Sequence, residues 1–270
     1  MRRVAVVLAV IVGLALLAGP AAAQKRYKHA TGPAGGNWFI SMGGAVKVLN
    51  EANLGIRFDG VATRGSGENA RLIGGTKDMH FGLSHISTLY NAWHGKGKAF
   101  KGKPARETLV LGKMLDQGQI FVTRQDTDIH KISDLVGKKV NLGPVGSGTE
   151  LNSRNLLTAL GLFDKVKRNY LNFAAFGRAL ANRQLDAVIS ASSPCTITAV
   201  TQASQRRPVR FLSLTQAEYE KIAAKFPFYG IQTCTRDKDP HLRDVKGFKG
   251  PVRSSATAST TSATTACPRM

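Results

Sequence analysis

A short glycine-rich stretch, NLGPVGSGTELN at residues 141–152, stands between an apolar run and a predicted helix. Gly143 and Gly148 have the spacing of a phosphate-binding loop, but Thr149 stands where that motif needs a Lys to reach the terminal phosphates. Backbone N–H groups at a helix N-terminus, with the hydroxyls of Ser147 and Thr149, suit a carboxylate as well as a phosphate. The stretch therefore predicts either an anion site without nucleotide chemistry or an ordinary strand-to-helix turn whose glycines serve backbone geometry.

Motifs of catalysis and of metal binding are missing from the sequence. It contains no HExxH, GxSxG or CxxC pattern. His80 and His85 flank one predicted strand and could share a metal, but isolated polar histidines are far commoner. Ser66 and Ser147 lie in glycine-rich turns without a neighbouring base that could activate them. We therefore predict no catalytic residue, no metal and no cofactor.

Apolar strand-like runs alternate with amphipathic helical segments between His29 and Phe226. After the turn TGPAGGNWF (31–39), the spacing of Phe39, Met42, Val46 and Leu49 predicts one apolar helical face. Strand–helix alternation with short connections predicts an α/β fold with helices on both faces of its sheets.

Three glycine-rich turns open helices, at residues 31–37, 64–69 and 143–149. In α/β sheets, ligands bind beyond the carboxyl ends of strands, where such turns lead into helices. Two of the turns belong to a first lobe and one to a second, so a ligand between the lobes could touch all three.

The N-terminus predicts export from the cytoplasm. Arg2 and Arg3 precede an apolar stretch from Val4 to Leu17, and small residues follow. This is the pattern of a signal peptide over residues 1–23, whereas the apolar core is short for a membrane anchor. We therefore expect a periplasmic protein that does not span the membrane after cleavage.

The chain is strongly basic, with 38 Lys and Arg against 17 Asp and Glu and a net charge of +21. Such a charge could attract nucleic acid or anionic lipid. The basic residues are spread from Lys25 to Arg253, however, with no basic block and few interleaved aromatic residues for base stacking. We therefore predict no nucleic-acid partner and a preference for small organic anions.

Cysteine usage does not indicate a disulfide framework. Cys195, Cys234 and Cys267 are odd in number and lack metal-ligand spacing. A bond between Cys195 and Cys234 is permitted in an oxidising compartment, and the sequence leaves that pairing open.

The quoted turns also carry a family resemblance. The chain resembles the TAXI family, the solute receptors of TRAP transporters, from about Tyr27 to Tyr229. The resemblance rests on TGPAGGNWF, on Gly65, Ser66 and Asn69, on the D-x-x-F of residues 78–81, on ISDLVGKKVNLGPVGSGTE (132–150) and on FPFY (226–229). It implies a two-lobed periplasmic-binding-protein type II fold with a hinge between the lobes. The implied function is capture of a small organic acid or an acidic amino acid such as glutamate, for delivery to TRAP membrane permease subunits.

The resemblance also assigns ligand-binding residues within the three turns and the strand that follows the D-x-x-F motif. They are Thr31, Gly35, Gly36, Asn37, Ser66, Asn69, Ser84, Gly146, Ser147, Gly148 and Thr149. Leu83 and His85 depart from the family, which often has Gln and Asp there.

The resemblance further divides the chain into lobe 1 (24–115), lobe 2 (116–228) and a poorly matching return segment (229–250). Hinge crossings are expected at residues 114–119 and 227–232. Residues 251–270, rich in Ser, Thr and Ala, predict a disordered tail. If the family's return strand is missing, lobe 1 should lose core contacts and stability.

Two other functions remain open on the same α/β scaffold. One is a periplasmic enzyme, because fold alone does not fix function. The other is a sensory ligand-binding subunit that presents its ligand to a membrane receptor instead of a permease.

Overall fold

The computed structural model describes residues 24–76, 78–192 and 195–264. The predicted signal peptide lies outside these residues. The strands are β1 (Lys25–Ala30), β2 (Ile56–Val61), β3 (Phe81–His85), β4 (Thr108–Arg124), β5 (Lys139–Asn141), β6 (Lys167–Asn169), β7 (Ala187–Ser192), β8 (Val209–Leu212), β9 (Gly230–Cys234) and β10 (Val252–Thr264). The α-helices are α1 (Asn37–Glu51), α2 (Ser66–Gly75), α3 (Ile86–Trp93), α4 (Gly97–Phe100), α5 (Gly148–Ala159), α6 (Phe173–Ala181), α7 (Thr198–Arg206) and α8 (Gln216–Lys225). Short 3₁₀ helices cover Ile132–Leu135 and Pro240–Asp244.

The strands of the described residues form one mixed sheet in the order β2-β1-β3-β10-β4-β7-β5-β6, with β8 on β4 and β9 on β10. In lobe 1, β1 runs parallel to β2 and β3; in lobe 2, β5 runs parallel to β6 and β7. Parallel strands need crossover helices, and α1, α2, α5 and α6 supply them. This arrangement confirms the predicted two-lobed α/β fold.

Two long antiparallel strands, β4 and β10, join the lobes. The first half of β4 pairs only with β10, and from Gly118 to Thr123 the strand pairs with β7 of lobe 2. This transition lies within the expected crossing at 114–119. The second crossing lies in β10 instead of at 227–232, because β9 leads back into lobe 2, where Cys234 forms a disulfide with Cys195.

Strand β10 corrects the prediction of a disordered tail for residues 252–264. It pairs with β9 over Val252–Ala256, with β3 over Ser259–Ala263 and with β4 along most of its length. Composition predicted disorder because Ser, Thr and Ala cannot build an apolar core. A strand between two others is instead held by backbone hydrogen bonds on both edges, and Thr favours extended backbone. The return strand that the resemblance implies for lobe 1 is therefore present.

The apolar core is larger in lobe 2 than in lobe 1. One lobe 2 cluster surrounds Phe176, Val188 and the Cys195–Cys234 disulfide, whose Cα atoms are 5.6 Å apart; a second surrounds Phe121, Leu156 and Ile189. Lobe 1 holds four small separate clusters.

The buried face of α1 differs from the predicted one. Trp38 and Met42 are its buried residues, Val46 and Leu49 are half-buried, and Phe39 is 39% exposed. The predicted spacing fits the helix, but the face is rotated by about one residue, because Trp38 packs against Leu83 of β3.

Candidate functional site

The N-termini of three helices meet at one cleft between the lobes. Helix α1 begins after Gly36, α2 after Gly65 and α5 after Ser147, and all three of these residues line the cleft. The space between atoms within the cleft and at its open mouth totals about 460 Å³. Each helix N-terminus presents free backbone N–H groups and a partial positive charge, so the cleft favours an anionic group.

Lobe 1 supplies two of these N-termini, those of α1 and α2, and the residues at the start of α2 hold its backbone in place. Gly65 has a φ of +103°, which lets the chain turn sharply into α2. The Ser66 hydroxyl accepts a hydrogen bond from the backbone N–H of His85 at 3.2 Å. This bond fixes the position of the Ser66 hydroxyl oxygen in the wall of the cleft.

Lobe 2 supplies the third N-terminus through the glycine-rich loop at residues 143–149. The Ser147 hydroxyl caps α5 by accepting from the backbone N–H of Glu150 at 3.1 Å. Residue 148 must be glycine, because a Cβ there would overlap the His85 ring and the Ser66 hydroxyl. A Cβ on Gly67 would likewise come within 2.7 Å of the Gly146 carbonyl oxygen. The two lobes are thus in direct contact beside the cleft.

A buried polar chain across the lobe boundary orients His85. Asn155 donates its Nδ2–H to the Tyr229 hydroxyl at 3.1 Å, and Tyr229 donates in turn to Asn152 Oδ1 at 2.7 Å. Ser87 also donates to Asn152 Oδ1 at 2.7 Å. Asn152 Oδ1 therefore accepts from two hydroxyls. The Nδ2–H of the same Asn152 amide faces His85 Nδ1 at 3.3 Å.

This chain fixes the tautomer of His85. Because Nδ1 accepts from Asn152, the imidazole proton lies on Nε2, whose edge stands beside Gly148 at the start of α5. Full burial lowers the pKa of His85 to about 3, so the ring is neutral at physiological pH. Burial also raises the pKa of the Tyr229 hydroxyl, which keeps it protonated as the donor to Asn152.

The structure brings some of the residues assigned by resemblance to the cleft and not others. Those that line it are Gly36, Asn37, Ser66, Ser147, Gly148 and Thr149. Gly146 lies in an adjoining groove, and Gly35 is exposed with a φ of +79°.

The three remaining assigned residues are buried in lobe 1. Asn69 donates to the carbonyl oxygens of Thr31 and Leu83, both at 2.7 Å, and accepts from Thr63 Oγ1 at 2.6 Å. Thr31 donates to the Val61 carbonyl at 3.0 Å. Ser84 is fully buried, and its hydroxyl contacts the Ser66 carbonyl oxygen at 3.5 Å. Asn69, Thr31 and Ser84 thus hold the lobe 1 turns in place beneath the cleft.

Sequence reasoning did not assign several residues that line the cleft. They are Pro33, Trp38, Gly65, His85, Gln117, Phe173, Ala191 and Ile197. Trp38 lies within the quoted TGPAGGNWF turn, and its ring centroid is 4.8 Å from that of His85. Phe173 and Ile197 begin other helices, and no motif marked them.

The described lining residues include aromatic and polar side chains but no Asp, Glu, Lys or Arg. Across residues 24–76, 78–192 and 195–264, no group of three or more His, Cys, Asp or Glu side chains is placed to hold a metal. No helix within those ranges is long and apolar enough to cross a membrane.

Solved structures share the fold at low sequence identity. BugD, a periplasmic binding protein, is 14% identical with a TM-score of 0.57, over 91% of this chain and 78% of that chain. The CcmR regulatory domain from Synechocystis PCC6803, solved with 2-PG, is 13% identical with a TM-score of 0.51, over 92% and 91%. SsuA, the periplasmic aliphatic sulphonate binding protein from Escherichia coli, is 15% identical with a TM-score of 0.47; 70% of this chain matches 59% of its length.

The likeness to BugD and the interlobe cleft define the class: the chain has the two-lobed fold of periplasmic binding proteins. The sequence matches the NMT1-like family over residues 29–247, and the chain belongs to that family.

Proposed function

We propose that the chain is a periplasmic solute receptor that captures a small organic acid or an acidic amino acid. The observation that carries this proposal is the convergence of three helix N-termini, from both lobes, on one cleft. A carboxylate bound there would exchange its water shell for fixed N–H and hydroxyl donors. Charge-assisted hydrogen bonds of this kind contribute about 1.5–3 kcal/mol each.

The proposed mechanism is closure of the lobes on the ligand. Lobe 1 contributes Asn37 and Ser66, lobe 2 contributes Ser147 and Thr149, and β4 and β10 are the connections about which the lobes would rotate. A ligand that contacts both lobes stabilises the closed state, because the open state makes only half of those contacts.

The test is a thermal unfolding scan of the purified protein against dicarboxylates, keto acids, monocarboxylates and amino acids. A ligand that binds the native state alone stabilises it by about 2.7 kcal/mol at a hundredfold excess over Kd. We expect at least one acid to raise the Tm. A folded protein whose Tm no acid moves would contradict the proposal.

Loop variants locate that binding in the cleft. Thr149→Ala should weaken binding of the acid found in the scan, with little change in stability. Thr158→Ala is the matched control, because Thr158 is exposed in the same helix and far from the loop. Equal affinity in both variants would remove Thr149 from the site.

The resemblance to the TAXI family supports a TRAP permease as the receptor's partner. Uptake of the identified acid by cells should then require both this chain and the permease subunits. Uptake that persists without the permease would contradict this assignment.

The sensory alternative is favoured by one observation, the similarity of the fold to the CcmR regulatory domain. A sensory subunit would change the activity of a membrane receptor and leave uptake of the acid unchanged. The enzyme alternative predicts turnover, which would appear as chemical change of the bound acid on incubation.

A further inference from the structure

We propose that the ligand is an organic monoanion, with a single carboxylate on an apolar or aromatic body that carries no ammonium group. We further propose that His85 is a neutral hydrogen-bond donor to that carboxylate. Both inferences rest on the proposed solute-receptor function and narrow its ligand class.

The charge of the cleft limits the ligand to one anionic group. The described lining residues provide no Lys or Arg, so the positive charge of the lining itself comes from the three helix N-termini. The cations Arg64 and Arg154 line the adjoining groove instead. Each terminus carries a partial charge of about half an electron, and the effect fades within one turn. A second carboxylate held inside this cleft would lose its hydration without gaining a cation.

The same lining disfavours an amino acid. An ammonium group taken out of water needs a carboxylate or several oriented carbonyl oxygens as partners. The described part of the cleft wall contains no Asp or Glu, and its helix N-termini would repel a cation.

Two neutral ring donors lie at the lobe 1 side of the cleft. The chain from Asn155 through Tyr229 and Asn152 to His85 places the imidazole proton on Nε2. Trp38 is 7% exposed, and within the described residues its buried Nε1–H has no hydrogen-bond partner. A buried donor without a partner is costly, so it marks a place where a ligand acceptor would be stabilising.

The remaining wall is mostly apolar, with Gln117 as its polar side chain. Phe173 and Ile197 come from lobe 2, Ala191 lies at the end of β7, and Pro33 lies opposite in lobe 1. These four side chains cannot form hydrogen bonds with polar groups on a ligand, but they would bury a branched or aromatic hydrocarbon body.

The test is a comparison of ligands on the unmodified protein by isothermal titration calorimetry. Benzoate, phenylacetate and isovalerate are the monoanionic probes, L-glutamate and succinate are the charged competitors, and benzamide is the uncharged analogue. We expect the best monoanion to bind at least about tenfold more tightly than the other two classes.

Variants test the role of His85 separately. His85→Phe should weaken binding of that monoanion by about tenfold or more, because it removes the Nε2–H donor and keeps the ring. His85→Gln should retain part of the affinity, because its amide can also donate. His130→Phe is the control, since His130 is exposed in lobe 2.

A pH series distinguishes a neutral donor from a cationic one. Trp38, Gly148 and Asn152 lie against the His85 ring, and Ser66 accepts from the His85 backbone N–H; none of these groups titrates near neutral pH. Affinity for the monoanion should be flat between pH 5.5 and 8. A rise in affinity below pH 6.5 that disappears in His85→Gln would overturn the neutral-donor assignment.

The outcomes separate this inference from the proposed function. If L-glutamate or succinate binds as tightly as the monoanions, the receptor function stands and the ligand class is wrong. If no acid binds to the folded protein, both are wrong. The ligand comparison needs no substitution, so it remains decisive even if His85→Phe does not fold.

Discussion

The two lobes stabilise their halves of the cleft by different means. Lobe 2 packs its loop, helices and strands around two continuous apolar clusters and one disulfide. Lobe 1 has only small clusters, and most of the exposed large apolar side chains belong to it. Those of lobe 1 are Phe39, Ile40, Val48, Leu54, Tyr90, Trp93, Leu109, Val110, Leu111 and Met114. Lobe 2 and the segment after it contribute Val136, Val145 and Ile231.

Lobe 1 compensates for its small apolar clusters with hydrogen bonds beneath the glycine-rich turns that line the cleft. Asn69 contacts the carbonyl oxygens of Ala30, Thr31 and Leu83, and so ties α2 to the carboxyl ends of β1 and β3. A buried amide that satisfies several carbonyls holds the backbone in one geometry. The difference indicates that the loop of lobe 2 rests on a large apolar core in addition to its Ser147 cap, whereas the turns of lobe 1 depend mainly on buried polar bonds.

The largest expected effect is a difference in lost stability between two Phe→Ala variants, one in each lobe. Phe176→Ala in lobe 2 empties a fully buried position and should cost about 3–5 kcal/mol of stability. Phe39→Ala in lobe 1 removes a side chain that is 39% exposed and should cost about 1 kcal/mol or less. Urea unfolding measures both, and similar losses would contradict the contrast between the lobes.

The next effect concerns the polar support of lobe 1. Asn69→Ala should cost about 2–3 kcal/mol, because it leaves buried carbonyl groups without donors. It should also weaken ligand binding, although Asn69 does not line the cleft. Asn182→Ala, at an exposed helix end in lobe 2, is the control. If Asn69→Ala has the stability of the unmodified protein, apolar contacts alone hold the lobe 1 turns.

The smallest effect, over the change from pH 7.5 to 6.0, is a pH dependence centred on lobe 1, which contains the two buried histidines. Burial lowers the pKa of His29 to about 4 and that of His85 to about 3, from an ordinary value of 6.5. The unfolded chain therefore binds protons first as the pH falls. Stability is fully present above about pH 6.5 and is lost as the pH falls towards 4 and then 3, by about 1.4 kcal/mol per pH unit for each histidine.

Unfolding free energies at pH 7.5, 6.0 and 5.0 measure this loss. His29→Gln should roughly halve the dependence, because His85 remains. His130→Gln, at an exposed position in lobe 2, should leave the dependence as in the unmodified protein. An unchanged slope in His29→Gln would mean that other groups cause the acid sensitivity.

The sequence predicted those features that depend on local pattern. Strand–helix alternation predicted the α/β fold, and glycine-rich turns before helices predicted that residues 31–37, 64–69 and 143–149 meet. It could not show that Asn69 points beneath the cleft and His85 into it, because that depends on which strand end faces which lobe. Phe173 and Ile197 reach the cleft by long-range packing that no local spacing records.

The tail prediction failed for another physical reason. Composition measures whether a segment can bury apolar side chains, and Ser, Thr and Ala cannot. Strand β10 draws its stability from backbone pairing with β3 and β4, which any non-proline residue can supply. A segment of low hydrophobicity can therefore be central to a sheet.

The position of β10 also bears on the order in which the chain acquires its structure. In lobe 1, β3 pairs with residues 259–263, which are synthesised long after the rest of that lobe. Contacts between residues so distant in the chain form slowly, because a long loop must close first. The strands β5, β6 and β7 and their helices are contiguous in sequence, so lobe 2 can begin to fold while the end of the chain is still emerging. Lobe 1 must wait for β10, and during that interval the open edges of β3 and β4 are available for pairing with other chains.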